Sequence, residues 1–510
     1  MNELSAYRER VLACWNGKNI GGTLGAPFEG FPSVNRLTYY DPVPSGAIPN
    51  DDLELQMMYA AALSRMEKPE VNREVLADIW LRHMNFHCQE YAVAMRNLAW
   101  GIRPPWSGSY DNYYADGMGA AIRSEIWACL APGDPALAVK FAREDACIDH
   151  AGSGVDAEVF FAALESMAFV ETDIRKLIEA GLSYLPPDSV LAEGIRTACS
   201  LWDSHRNWRF VRDALYDRYA TEFKMSVRIN VPFTVLALLS GGGDFGKTIC
   251  DAANCGMDTD CTAATAGAIL GILNPGGIPE EWRRPVGHGL TVCDADVSGL
   301  EFPLTIEAFT EQILSLRERI PAYVKTVGTP EPDYAPFRIH ADVSMQKNPK
   351  WYRIDLNAQC WNTILCDPFY ARLEVPAEFR GNGGQIVLRF RFEIPEDGAY
   401  TLMFNSPVSN QVYLDPAVSN LHDDVHMLFG RQRLFPQMEL SNGRFPCGER
   451  QVIFNPDLGG APLNQYRRHF PLSKGEHTLI VALEPQSFES EIRWGLGIGK
   501  GHRFLVNSFK

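Results

Sequence analysis

The sequence has no excess of positive charge: 47 lysines and arginines stand against 63 aspartates and glutamates, for a net charge of −16. Nucleic-acid binding demands a basic face, so no nucleic-acid partner is expected. An anionic small substrate stays compatible, because a bound metal inverts the local potential. No apolar run reaches the roughly 20 residues that a membrane-spanning helix needs, and no membrane partner is expected. Met1 to Arg10 are polar and lack the apolar core of a secretion signal. The 12 cysteines include no C-x-x-C pair. Cys14, Cys129, Cys199 and Cys366 lie in apolar surroundings and read as reduced core thiols. The expectation is a soluble, cytoplasmic protein. Internal repeats and low-complexity tracts are also lacking. Gly241-Gly242-Gly243-Asp244 reads as a helix connection, and no strand precedes the glycine-rich run at 17–30, which does not favour a dinucleotide fold.

What is present is length and a normal globular composition, 46% hydrophobic and 22% charged over 510 residues. That exceeds one ordinary hydrophobic core, so two domains, or a large domain with an appendage, are expected. Helical periodicity dominates to about residue 300. It covers Ala6 to Trp15, Leu53 to Arg65, 71–85, 88–101, 118–130, 134–149, 155–170, 173–182, 187–203, 207–221 and the runs from Val231 to Leu273. Residues 1–330 read as one all-α domain. Thr329, Pro330, Glu331, Pro332 and Pro336 form a connector typical of domain boundaries. Beyond it, alternating runs are bounded by turn residues. They are Tyr352 to Leu356, Gln385 to Ile394, Ala399 to Phe404, Gln411 to Leu414, Gln451 to Phe454, His477 to Leu483 and Arg493 to Ile498. Residues 337–510 therefore read as an all-β sandwich, jelly-roll-like. Its aromatics, Trp351, Tyr352, Trp361, Tyr370, Tyr400 and Tyr413, suit a sandwich core better than sugar platforms. The domain is open to carbohydrate binding or to assembly, and an oligomer is compatible with the sequence.

The chain is organised around Asn254-Cys255-Gly256-Met257-Asp258-Thr259-Asp260-Cys261-Thr262, which leads into a helix of alanines and glycines. One acid at a helix start is ordinary capping. Two are more than a cap requires, and buried carboxylates need partners or a cation. A second cluster, Asn50-Asp51-Asp52-Leu53-Glu54, opens another helix. Four carboxylates converging from two helix starts are hard oxygen ligands, suited to Mg²⁺, Mn²⁺ or Ca²⁺ and poor for zinc. His150, His205 and Cys261 supply no zinc spacing.

These clusters stand in order with Gly21-Gly22-Thr23-Leu24-Gly25-Ala26-Pro27-Phe28-Glu29, with Gly119-Ala120-Ala121-Ile122-Arg123, with Asp149-His150, and with Pro279 and Trp282. The set, over roughly residues 8–290, resembles the all-helical ADP-ribosylglycohydrolase family, which includes the dinitrogenase reductase-activating glycohydrolase. The resemblance implies two divalent cations, Mg²⁺ or Mn²⁺, held by Asn50, Asp51, Asp52, Asp258, Asp260 and Cys261. It implies Glu29, with Asp52 and Asp258, as the catalytic group, Glu29 acting as general acid/base. It places His150 toward the substrate. Independently, Asp116-Gly117-Met118-Gly119 reads as a glycine turn before a helix that offers N–H groups to a substrate phosphate, with Gly117, Met118 and Gly119 as substrate-binding residues. The substrate would be a small molecule or glycan with a ribose-like ring.

The chain departs from the family at four points. Asn50 replaces a threonine, Leu53 a frequent hydroxyl residue, Cys261 another threonine, and Gly22 stands where many members have aspartate. An amide oxygen is an acceptable hard ligand, whereas a thiol is a poor one for Mg²⁺. The resulting expectation is a metal-dependent hydrolase of a ribosyl-type glycosidic bond. A nucleoside or glycan furanoside hydrolase with the same chemistry is one alternative, and a catalytically silent sugar- or nucleotide-binding protein is another.

Overall fold

The computed structural model describes residues 3–85, 89–99, 102–110, 112–221, 223–293 and 296–323. In the strand-rich part it describes 339–347, 361–366, 371–381, 383–406, 409–415, 427–429, 444–447, 450–453, 464–485, 487, 490–500 and 503–504. The chain forms two compact units: Met1–Met95 with Tyr114–Val327, and Arg96–Tyr113 with Gly328–Lys510. No helix among the described residues is long and apolar enough to cross a membrane.

The helices in chain order are α1 (Glu3–Gly25), α2 (Asp51–Ser64), α3 (Arg73–His83), α4 (Gln89–Ala99), α5 (Trp106–Ser109), α6 (Ser124–Leu130), α7 (Pro135–Ala146) and α8 (Ser153–Ala168). They continue with α9 (Ile174–Leu182), α10 (Val190–His205), α11 (Trp208–Tyr219), α12 (Val227–Gly241), α13 (Phe245–Asn254), α14 (Thr259–Leu273), α15 (Glu280–Val286) and α16 (Ile306–Arg319). Side-chain caps start many of them: Asn72 accepts from Val75 N, Asp134 from Leu137 N, Ser189 from Ala192 N and Asp244 from Lys247 N. The glycine-rich run after Trp15 is a continuation of α1 rather than a separate element. The expected helix at 118–130 begins only at Ser124, after a short 3₁₀ turn at Ala121–Arg123. Helices α15 and α16 had no counterpart in the sequence reading.

Helices α1 and α14 run antiparallel with their backbones in contact. A β-carbon added to Gly17 would lie 2.0 Å from the Gly267 carbonyl oxygen, one on Gly21 2.1 Å from that of Ala263, and one on Gly25 2.2 Å from that of Thr259. Small residues every fourth position give each helix a flat ridge, and only such ridges allow this approach. Nearly all of α14 is buried, which is why it is apolar all round.

The strand-rich unit contains β1 (Ile339–Lys347), β2 (Asn362–Cys366), β3 (Ala371–Glu374), β4 (Gly384–Ile394), β5 (Gly398–Ser406), β6 (Ser409–Leu414) and β7 (Met427–Phe429). After these come β8 (Arg444–Cys447), β9 (Arg450–Ile453), β10 (Asn464–Leu472), β11 (Gly475–Glu484), β12 (Glu491–Lys500) and β13 (Arg503–Phe504). One antiparallel sheet has the order β2-β1-β4-β11-β6-β7, the other β10-β5-β12-β13 with β3 beside β12. Alternate residues of β4 (Ile386, Leu388, Phe390, Phe392) and β11 (Leu479, Val481, Leu483) share one core with Tyr400, Ile492, Trp494 and Leu496 of the second sheet. Two sheets closing on one apolar layer make a sandwich. Strands β4, β5, β6, β9, β11 and β12 coincide with alternating runs seen in the sequence. Trp361 packs behind the first sheet with Val387, Tyr413, Ile480 and Ala482. Trp351, Tyr352 to Leu356, Tyr370 and Phe454 lie outside the described residues.

Candidate active site

The first turns of α2 and α14 and the segment leaving α1 meet at one place. Past Gly25 a 3₁₀ turn, Ala26–Phe28, delivers Glu29. Gly30 N–H then donates to the Met257 carbonyl at 2.8 Å, and Met257 N–H returns a bond to the Phe31 carbonyl at 2.7 Å. Gly256 and Met257 both have positive φ, 75° and 69°, which swings the chain into α14. Such a conformation is common for glycine and rare for methionine, and it is tolerated where surrounding structure enforces it. At position 256 a side chain would also meet the Ser33 carbonyl oxygen at 2.5 Å.

Asp258 occupies the N-cap of α14 but caps nothing. Its N–H is held by Asn230 Oδ1 at 3.2 Å, and both carboxylate oxygens are buried with no hydrogen-bond partner among the described residues. Asp260 Oδ1 shares that condition. Ligand atoms of Glu29, Asp258 and Asp260 lie within 4.8 Å of one another, and so do those of Asp52, Asp260 and Cys261. Burial, reinforced by Asp260 and Glu29 around Asp258, and by Glu29 and Asp52 around Asp260, pushes both carboxyls well above their ordinary range. Asp51 is pushed up for the same reasons, burial first and then Asp52 and Asp260. Glu29 stands at the accessible rim, yet crowding by protein and the charges of Asp51 and Asp52 bring it up to about 7. A divalent cation held among these oxygens would restore their ionised forms. The oxygen donors fit Mg²⁺ or Mn²⁺. The Cys261 sulfur does not, and burial with the neighbouring Asp258 and Asp52 keeps its proton on.

Behind this centre lie two buried charge networks. In the first, Lys18 Nζ is 3.0 Å from Asp52 Oδ1 and 2.8 Å from Glu125 Oε1. Gln56 Nε2 donates to Glu125 Oε2 at 2.9 Å and to the Asp52 carbonyl at 2.8 Å. In the second, the Arg123 guanidinium sits between Asp145, at 3.0 Å, and Asp149, at 2.6 Å, with no exposure on either side. Asp149 Oδ1 is 2.9 Å from His150 Nδ1, and His150 Nε2 is 3.5 Å from Glu90 Oε1. Glu90 Oε1 also accepts from Gly119 N–H at 3.2 Å, while the next residue, Tyr91, donates to Asp51 Oδ2 at 3.3 Å.

A family model of the ADP-ribosylglycohydrolases matches residues 3–320 of the chain. The chain belongs to the ADP-ribosylglycohydrolase family. That is a family of glycosyl hydrolases, and the chain is an enzyme of that kind. Among solved structures, an "ADP-ribosylglycohydrolase-related protein complex" is similar at 20% identity and a TM-score of 0.43, covering 62% of this chain and 99% of that one. A β-glucosidase from Kluyveromyces marxianus in complex with glucose is similar at 12% identity and a TM-score of 0.20, over 31% of this chain and 15% of that chain. No curated protein matches.

Within this glycohydrolase domain the residues singled out in the sequence separate into three groups. Glu29, Asp51, Asp52, Asp258, Asp260 and Cys261 come together. Asn50 stands beside them as the α2 cap, its Oδ1 accepting from Asp52 N–H at 2.7 Å. A side chain at Gly22 would meet the Asn50 amide nitrogen at 2.8 Å, so the asparagine and the glycine fit each other. Gly117, Met118 and Gly119 form a buried turn whose amides serve the chain itself: Gly117 N–H goes to the Tyr114 carbonyl and Gly119 N–H to Glu90. No helix begins there to aim N–H groups at a phosphate. His150 is buried, 1% exposed, and engaged with Asp149 and Glu90. Lys18, Glu90, Tyr91 and Glu125 were not assigned roles from sequence. The one legible signal was a lysine set among glycines and apolar residues in a helical pattern. A separate groove of about 860 Å³, lined in part by Arg175, Trp202, Asp203 and Arg206, shares none of these residues.

Proposed function

We propose that the protein hydrolyses a ribosyl-type glycosidic bond, that of an ADP-ribosyl group or a related furanoside, with Mg²⁺ or Mn²⁺ at the Asp51, Asp258 and Asp260 carboxylates. The observation that supports it is Asp258: two buried carboxylate oxygens with no hydrogen-bond partner among the described residues, beside Asp260 and Glu29, in a domain of this family. A divalent cation held by these carboxylates would supply Lewis-acid polarisation of ribose hydroxyls and of the attacking water. The chain's own residues do the rest. Asn230 and the Gly256–Met257 turn fix Asp258. Tyr91 orients Asp51. Glu29, at the accessible rim, exchanges a proton with the attacking water as the bond opens through an oxocarbenium-like state. The compartment in this reading is the cytoplasm, in keeping with the buried free thiols of Cys14, Cys129 and Cys366.

The departures at Gly22, Asn50 and Cys261 favour a second reading of the substrate, a nucleoside or glycan furanoside. A panel of ADP-ribosylated peptide, purine nucleoside and aryl furanoside, each with Mg²⁺, with Mn²⁺ and with chelator, separates the two. Release of free ADP-ribose from peptide by the wild type, and its loss in the Asp258→Ala, Asp260→Ala double variant, is expected. Binding without turnover anywhere on the panel would instead indicate a silent binding protein.

A further inference from the structure

Lys18 sits in the middle of α1 with 1% of its surface exposed. An ammonium group has three N–H donors and no acceptor. Here the three oxygens around it are Asp52 Oδ1 at 3.0 Å, Glu125 Oε1 at 2.8 Å and the Ile122 carbonyl at 2.7 Å. Full use of the donors is the condition on which a buried charge is tolerated. The position is also locked. Gly17 and Gly21, on either side in the helix, press against the α14 backbone, so α1 cannot turn or slide to withdraw the ammonium. Gln56 holds Glu125 from the far side, and its own Oε1 accepts from Ile126 N–H at 2.8 Å.

The two groups of metal-ligating atoms are therefore unequal. Glu29, Asp258 and Asp260 are three carboxylates, none paired with a lysine or arginine among the described residues. The Asp52, Asp260 and Cys261 group contains a carboxylate already matched by an ammonium and a soft sulfur. A hard dication there would face the Lys18 charge across Asp52.

We infer that Lys18 takes the place of one of the two divalent cations, so that the centre binds a single Mg²⁺ or Mn²⁺ tightly, at the Asp258 and Asp260 carboxylates beside Glu29. This rests on the metal-dependent reading above and narrows it. Lys18 is a positioning residue: it fixes and neutralises Asp52 without touching the reacting atoms. The fold thereby supplies one fixed positive charge and takes the other from solution.

Titration of the full chain with Mn²⁺ by calorimetry, with electron paramagnetic resonance of the bound ion, tests it. The wild type is expected to bind one Mn²⁺ per chain with the six-line spectrum of an isolated ion. Lys18→Met, of similar length and without charge, is expected to bind two, with the broadened spectrum of a coupled pair. Cys261→Thr, which keeps Lys18, is expected to stay at one. Two tight ions in the wild type would overturn the inference and leave the metal-dependent reading intact. No bound ion would overturn that reading itself. A folded Lys18→Met protein that still takes one ion would remove Lys18 as the cause. If that variant does not fold, the wild-type stoichiometry and spectrum still decide.

Discussion

Gly21 of α1 approaches Ala263 of α14 so closely that a methyl group at 21 would lie 2.1 Å from the Ala263 carbonyl oxygen. Real β-carbons do not tolerate such a distance, and the obstacle is backbone, which cannot rotate away. Gly21→Ala should therefore destabilise the helical unit by about 3 kcal/mol, the upper part of the range for overpacking. Chemical denaturation of wild type and variant checks it; a loss below 1 kcal/mol would mean the helices can separate at little cost.

Removal of divalent cations should lower the melting temperature. A ligand that binds only the folded state at about 100 times its dissociation constant stabilises by about 2.7 kcal/mol. For a unit of this size that is a shift on the order of 5 °C. Scans with Mn²⁺ and with chelator should show it for the wild type. In Asp258→Asn the shift should vanish, and turnover should fall by more than the ~10–100-fold typical of losing a partner of a ligand.

Arg123 joins Asp145 and Asp149 with all three side chains fully buried. Taking away the guanidinium leaves two carboxylates in the core, so Arg123→Met should cost about 3–5 kcal/mol. Arg123→Lys should recover little, because an ammonium cannot reproduce the planar fork that reaches both acids. Urea unfolding of both variants is the measurement; full recovery by lysine would show that charge alone matters.

His150 gives the fold a pH dependence on the alkaline side. Burial lowers its pKa, but Asp149 and then Glu90 outweigh burial and bring it up to about 9 from an ordinary 6.5. A group raised in the folded state stabilises fully below its unfolded value and loses that contribution as pH rises through the folded one. Stability should thus decline between about pH 6.5 and 9, by roughly 3 kcal/mol from this group. His150→Gln should flatten the profile over that window. An unchanged slope would place the titration elsewhere.

The helical fold and the acid centre were legible because their chemistry is written in local runs. Asp258-x-Asp260 and Asp51-Asp52 sit at helix starts. Lys18 was hidden, since a single lysine carries no sign of whether it faces water or two carboxylates. Glu90 and Glu125 were invisible for the same reason: their partners come from other helices. The Gly117–Gly119 turn resembled an anion cradle, but its amides are committed to Tyr114 and Glu90. In the sandwich, the long alternating runs of β4 and β11 stood out and even the four residues of β9 were read, whereas nine-residue β1 and β10 were passed over, β10 because Arg467-Arg468-His469 breaks its alternation.

The Thr259 hydroxyl donates to the Gly25 carbonyl across 234 residues of sequence. A chain leaving the ribosome completes α1 and α2 long before α14 exists. Until about half of the chain has been made, Asp51 and Asp52 are half a site, and the glycine ridge of α1 has nothing to lie against. Contacts of such separation form late, after the entropy of closing the intervening chain has been overcome. On the metal-dependent reading, cation capture is a closing event for the helical core, a seal on it rather than the seed around which it gathers.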